Sequence, residues 1–226
     1  MTTSGEVSPH TLHRLSIYLR CLRGLRDSNV LRVSSQDLAD RFDLSAAQIR
    51  KDLAHFGEFG IRGVGYDVQH LTDRLRNLLG LDRHHPTIVV GVGNLGSALL
   101  RFLAMGDSAF RVVAAVDNDP SQVGTSLAGV RIEDAARLTE IATISGAEIG
   151  VLTVPASAAQ ANYNSLVLAG IRAVLNFAPI RLARDPDVVT RSVDLRMFFE
   201  ELGFLLVRAD SATVHATKTM SPGSGD

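Results

Sequence analysis

Residues 87–100 read T-I-V-V-G-V-G-N-L-G-S-A-L-L. A strand-length apolar run leads into Gly91, Gly93 and Gly96, and the leucines that follow fall at helical spacing. The order strand, glycine loop, helix is what gives the spacing its meaning. Gly91 permits the tight turn, Gly93 lets backbone approach a pyrophosphate, and Gly96 lets helix and strand pack closely. The helix start then offers unpaired N–H groups and a partial positive charge to phosphate oxygens. Gly91, Val92, Gly93, Asn94, Leu95 and Gly96 are therefore the expected phosphate cradle.

Working outward in the C-terminal direction, a second apolar run at 112–116 ends on Asp117, 21 residues past Gly96. At that distance an acidic side chain accepts hydrogen bonds from an adenosine ribose 2′-OH and repels a 2′-phosphate. No arginine follows directly, so the pattern favours NAD over NADP. Short apolar strands (129–132, 149–154, 173–177, 188–193) alternate with helical segments (135–144, 158–169), the signature of a doubly wound parallel sheet. The ends of two strands, Thr153-Val154-Pro155-Ala156 and Asn176-Phe177-Ala178-Pro179, should fall beside the dinucleotide crevice. Their prolines serve equally well as turn residues.

In the N-terminal direction the pattern changes. Residues 8–26 carry leucines at helical spacing behind a Ser8-Pro9 start. Ser34 and Asp37 are spaced as a capping box for a second helix, and Ser45 with Gln48 for a third over 46–55. Two short helices joined by so brief a turn make a helix-turn-helix. On the third helix Gln48, Arg50, Lys51 and His55 lie away from the Ile49/Leu53 stripe, and Arg, Lys and Gln can read base edges in a major groove. A solvated helix face would look the same, but G-E-F-G-I-R-G-V-G-Y-D at 57–67 adds a glycine-rich hairpin around Arg62 and Tyr66, the shape of a wing. Ser45, Gln48, Arg50, Lys51, Arg62 and Tyr66 are the residues expected at DNA. A fourth helix over 68–81, with Leu71, Leu75, Leu78 and Leu79 inward, and a solvated linker at 82–86 complete this domain.

Bulk properties set the outer limits. The chain has 226 residues, 46% of them hydrophobic, enough for two modest cores. The longest apolar runs are strand-length, far short of a membrane span, and no signal-peptide pattern opens the chain. The single cysteine, Cys21, on an apolar helix face, reads as a buried thiol in a reducing cytoplasm. Net charge is −1, so the chain as a whole does not advertise nucleic-acid binding; residues 1–85 carry 12 basic against 10 acidic side chains. His84-His85 has no further ligand at metal spacing and reads as linker.

A hydride-transfer enzyme needs an acid/base group near the nicotinamide. Residues 86–214 contain no histidine and no lysine, and the one tyrosine, Tyr163, sits where it can simply pack. A cofactor used as a signal fits better than a cofactor used as a reagent. The other readings are an NAD-dependent oxidoreductase, or a repressor whose core senses coenzyme A or another nucleotide.

The chain resembles the Rex family of redox-sensing transcriptional repressors over nearly its whole ordered length. The motifs carrying the resemblance are R-L-S-I-Y-L-R (14–20), Q-I-R-K-D-L (48–53), G-E-F-G-I-R-G-V-G-Y-D (57–67), G-V-G-N-L-G (91–96), L-T-V-P-A (152–156), L-N-F-A-P (175–179) and V-D-L (193–195). The resemblance implies an α/β chain: an N-terminal winged helix-turn-helix domain (1–85) and a Rossmann-like doubly wound NAD(H) domain (86–193). A C-terminal helix (194–210), swapped between the subunits of a homodimer, would follow; the Ser, Thr, Gly and Pro content from Ser211 separately predicts a disordered tail (211–226). The resemblance also implies a double-stranded DNA operator as partner, NADH and NAD as ligands, release from DNA by NADH, and control of respiratory or fermentative genes. By position Arg50 and Lys51 match the major-groove readers and Arg62 the wing. Arg20 and Asp194 match inter-subunit polar contacts that toggle with the ligand; the family's tyrosine in that arrangement is Phe102 here, a ring without its hydroxyl. The broadly apolar segment 195–208 agrees with a helix buried between subunits.

Overall fold

The computed structural model describes residues 7–57, 59–61, 63–105 and 108–219, and beyond residue 208 the helical backbone alone. It divides into two compact units, Met1–His84 and His85–Asp226.

In the first unit α1 (Pro9–Asp27) starts where Ser8 accepts the Thr11 N–H, with proline in the first turn. A two-residue strand β1 (Arg32–Val33) precedes α2 (Ser35–Phe42), whose capping box pairs Ser34 and Asp37 reciprocally. The recognition helix α3 (Ala46–His55) follows a left-handed Asp43 and starts on Ser45. The wing is a hairpin of β2 (Gly60–Ile61) and β3 (Gly65–Asp67), with β1 completing a three-stranded antiparallel sheet. Asp67 then caps α4 (Val68–Leu78). The core joins Leu15, Leu22, Leu38, Ile49, Leu53, Leu71 and Leu75, and Cys21 lies within it as expected, its thiol pKa raised by burial. Leu78, expected inward, is exposed, while Thr72 is buried beside Leu71 and Leu75, its hydroxyl donating to Val68 O.

The second unit opens with β4 (His85–Val90). His85 is therefore not solvated linker: it begins the strand, is 16% exposed, stacks on Phe110 and lies 3.3 Å from Glu148. Next come α5 (Asn94–Ala104), β5 (Phe110–Asp117), β6 (Ser126–Leu127) and β7 (Val130–Asp134). The helix expected over 135–144 is split into a 3₁₀ turn, Ala135–Arg137, capped by Asp134 through the Ala136 N–H, and α6 (Leu138–Ile144); Arg137 at the junction leaves helical geometry, with φ −99° and ψ 14°. β8 (Ile149–Leu152), α7 (Ala156–Leu168), β9 (Ala173–Asn176) and β10 (Val189–Ser192) lead to α8 (Leu195–Thr219).

The seven-stranded sheet runs β10-β9-β8-β4-β5-β7-β6, parallel except for the short antiparallel edge β6. Alternation along β4 sends Ile88 and Val90 to the cluster containing Leu138, Tyr163 and Leu166, and Val89 to the opposite cluster with Leu100. Helices therefore cover both faces, as a doubly wound sheet requires. The chain order reverses between β4 and β8, which puts the ligand crevice of such a sheet at their carboxyl ends.

α8 corrects one expectation. The apolar pattern predicts a helix ending near 208, and the Ser, Thr, Gly and Pro content a disordered segment from 211, yet the helix continues to Thr219. Once formed, a helix grows at one hydrogen bond per residue, and the added stretch has three alanines and neither glycine nor proline until Pro222. Residues 220–226 of the expected tail lie outside the described residues.

Candidate nucleotide crevice and DNA-recognition surface

In the crevice, Gly91 has φ +91°, and a Cβ there would lie 2.9 Å from a Val154 methyl. A Cβ on Gly96 would collide outright with Gly91 O, so helix and loop meet backbone to backbone. Around Gly93 there is open space, which is what a close ligand approach needs. Gly93 is the N-cap of α5 and supplies no side chain, so the N–H groups of Asn94, Leu95 and Gly96 have no helical partner. The next strand along, β8, is followed by Thr153-Val154-Pro155, and Pro155 caps α7, again without a side-chain bond. Two uncapped helix starts thus follow adjacent strands, an arrangement suited to anionic groups.

Three side chains hold this loop in shape. The Thr153 hydroxyl donates to Gly91 O at 2.6 Å, and the Ser97 hydroxyl lies 2.7 Å from both Val92 O and Gly93 O. Asp117 is the third: its Oδ2 accepts the Val92 N–H and its Oδ1 accepts the Asp119 N–H at 2.8 Å. Each carboxylate oxygen keeps a lone pair beyond these bonds. Asp119 turns back to accept the Ser121 N–H, which lowers its pKa. Thr153 belongs to a strand end expected beside the crevice, but its role in holding the loop, like that of Ser97, carries no signal in the spacing.

The other expected crevice residues divide. Val154 and Phe177 are half-buried and Pro155 is exposed. Asn176 is fully buried and engaged: its Nδ2 donates to Ala178 O and Ile180 O, and its Oδ1 accepts the Ala178 N–H. It shapes the turn after β9. Tyr163 is 1% exposed; its hydroxyl accepts the Asp185 N–H at 2.9 Å and bonds Thr190 at 3.3 Å, so it is sealed away from acid/base work.

In the first unit, the exposed stripe of α3 is Ala47, Arg50, Lys51, Ala54 and His55. Arg50 reaches across the helix-turn-helix, donating to the Ser35 hydroxyl at 2.8 Å, and lines a concavity with Ser34, Gly57, Gly60 and Tyr66. Tyr66 is half-buried with its ring against Gly60, and burial raises its pKa. Ser45 accepts the Gln48 N–H at 3.3 Å as helix cap. Arg62 lies outside the described residues.

Gln48, expected to face outward, is less exposed than Arg50 and Lys51. It is half-buried, and its Nε2 donates to Asp52 Oδ1 at 2.8 Å. Asp52, only 4% exposed, also accepts Arg14 Nε at 2.6 Å, Arg14 NH2 at 2.8 Å and the Tyr18 hydroxyl at 2.8 Å. These bonds, the arginine's foremost, hold its carboxyl down to about 2 against its burial, while Arg14 and Tyr18 are shifted upward. The sequence signal for this was the Gln–Asp spacing of four, which puts both on one face.

Of the residues tied to the switch by resemblance, Arg20 is exposed on α1, Phe102 is 67% exposed on α5, and Asp194 accepts the Arg196 N–H at the start of α8. The described α8 side chains 195–208 are exposed throughout, among them Met197, Phe198, Phe199 and Phe204. Among the described residues no group of His, Cys, Asp and Glu is placed to hold a metal, and no helix is long and apolar enough to cross a membrane.

A winged helix-turn-helix and a dinucleotide fold in one chain define the class of ligand-responsive DNA-binding regulators. Residues 6–54 match a family described as "Putative DNA-binding protein N-terminus", and residues 82–180 match "CoA binding domain". The chain is 42% identical over 199 residues to Redox-sensing transcriptional repressor Rex 1 of Thermotoga maritima, covering 88% of this chain and 95% of that one. It is 45% identical over 201 residues to the Rex repressor of Syntrophomonas wolfei, covering 89% and 96%. It superposes with TM-score 0.86 and 32% identity on the Rex-family repressor RSP, solved with β-NAD⁺ and operator DNA, over 97% of this chain and 100% of that one. A β-NADH complex of RSP gives 0.83 over 93% and 99%. The chain belongs to the Rex family of redox-sensing transcriptional repressors.

Proposed function

We propose that this chain works in the cytoplasm as a homodimeric repressor that occupies a palindromic operator when NADH is low and leaves it when NADH fills the crevice. The observation that carries the reading is the pairing, in one chain, of an exposed Arg50/Lys51 recognition stripe with an open, uncapped glycine loop. The N–H groups of residues 94–96 bind pyrophosphate oxygens, and Asp117 accepts the ribose hydroxyl while its charge excludes a 2′-phosphate. Val154, Pro155 and Phe177 line the rest of the crevice, and Asn176 fixes the turn beneath it. Arg50, Lys51, Ser45 and Gln48 meet the major groove, with Arg62 and Tyr66 on the wing side.

The exposed apolar face of α8 is completed by a second copy, and Arg20 and Asp194 exchange partners between subunits as the ligand changes. Respiratory or fermentative genes are the targets such a sensor serves. The match of residues 82–180 to a coenzyme A-binding family favours a second ligand reading. The experiment is operator binding by the purified protein titrated with NADH, NAD⁺ and coenzyme A. Release by NADH alone is expected. Release by coenzyme A but not NADH overturns the ligand, and no operator binding under any condition overturns the function.

A further inference from the structure

We propose that Asp52 sets the orientation of the Gln48 side-chain amide, so that Gln48 reads an adenine in each operator half-site; this rests on the DNA-binding reading above. Gln48 lies in the first turn of α3, and the N-terminal residues of a recognition helix are those that reach base edges. Its Nε2 is 2.8 Å from Asp52 Oδ1, and Asp52 is anchored at both oxygens by Arg14 and by the Tyr18 hydroxyl. An ionised carboxylate only accepts. The amide therefore has to present nitrogen to Asp52, which turns the carbonyl Oε1 to the opposite side.

The groups left to a ligand are Oε1 and the second N–H. Adenine offers the matching pair in the major groove, an N6 donor and an N7 acceptor. Guanine presents two acceptors, O6 and N7, and sets O6 against Oε1; thymine O4 conflicts in the same way. Cytosine N4 can donate but has no acceptor beside it. Without an anchored acceptor behind it, the amide turns over freely and favours adenine less. Asp52 is thus a positioning residue acting through Gln48.

The test is binding of the full-length dimer to operators substituted one base pair at a time, with a 7-deazaadenine version of each adenine. One position per half-site should lose tenfold or more when adenine is replaced, and should also weaken with 7-deazaadenine. Gln48→Ala should flatten that position and leave the others. Asp52→Asn, whose amide can donate to Oε1, should flatten the same position with NADH affinity unchanged. Where Asp52→Asn fails to fold, Gln48→Glu decides, because an acceptor-only side chain should shift the preference from adenine to cytosine. A Gln48→Ala profile identical to wild type, a folded Asp52→Asn that keeps its adenine preference, or no shift in Gln48→Glu overturns the inference alone. Absence of any operator binding by the wild type overturns the proposed function instead.

Discussion

The backbone N–H of Val92 donates to the Asp117 carboxylate, so the acid at the end of β5 fastens the loop that it faces. One side chain therefore shapes the glycine loop and, in the proposed function, also supplies the charge that screens ribose substituents. Asp117→Ala should lose more NADH affinity than one ribose contact accounts for; hydrogen bonds to a charged group are worth about 1.5–3 kcal/mol each. Asp117→Asn keeps an acceptor for the loop but not the charge, so its NADPH affinity should rise towards its NADH affinity. Calorimetric titration of both nucleotides checks this, and equal affinities in the wild type would refute it.

Arg50→Ala and Lys51→Ala should each weaken operator binding while NADH affinity stays near normal. Loss of a bidentate base contact costs roughly 1–3 kcal/mol and relaxes one base pair. Loss of a phosphate contact weakens all sequences alike and lowers the salt slope by about one. Arg50, tethered to Ser35 beside the wing, has a geometry open to either role, and the salt series separates them.

Asp52 titrates far below an ordinary carboxyl because its charged form is held by Arg14, Tyr18 and Gln48. A depressed folded-state pKa contributes stability above the unfolded value near 4, and that stability is lost as pH falls through about 2. The contribution is on the order of 2 kcal/mol. Urea melts of the wild type between pH 6 and 2 should show this fall relative to Asp52→Asn, which lacks the titrating group. Parallel curves for the two proteins would remove Asp52 from the account.

Deleting α8 removes an apolar face that no other part of the described chain covers. Each large side chain is worth on the order of 1.5–3 kcal/mol when fully buried. The truncated protein should lose dimerisation and the NADH response together. A monomeric, soluble truncation that still releases DNA on NADH addition would rule out the shared helix.

Linkage is reciprocal: operator must weaken NADH by the factor that NADH weakens operator. Phe102 presents a ring without a hydroxyl at an exposed position of α5. Phe102→Tyr should raise the coupling, read as NADH affinity with and without saturating operator. The same coupling in both variants would exclude residue 102 from the switch.

What the sequence could convey was periodic or local. The Ser34/Asp37 box, the Ile49/Leu53 stripe and the Gly91–Gly96 turn all depend on neighbours within a few residues, and each appears where it was read. What escaped depends on partners far along the chain. Gln48 is turned by an Asp52 that is itself held from α1, 38 residues away. His85 joins the strand because Phe110 and Glu148 meet it, and Asn176 is consumed by a turn whose carbonyls no spacing rule aims at it. The length of α8 escapes for a different reason: Ser and Thr content suggests disorder from Ser211, whereas no glycine or proline interrupts residues 209–219.

The bare face of α8 has a consequence in the cell. On the proposed function, in which two copies share α8, a subunit carrying Arg50→Ala and Lys51→Ala would still lend its helix to a normal partner, and the mixed pair would have one competent head for two half-sites. Such a defective allele, expressed beside the intact gene, would silence repression in proportion to its dosage. Genetic dominance, more than loss of function, is then the expected signature of lesions in the recognition helix, whereas lesions that destroy α8 itself should be recessive.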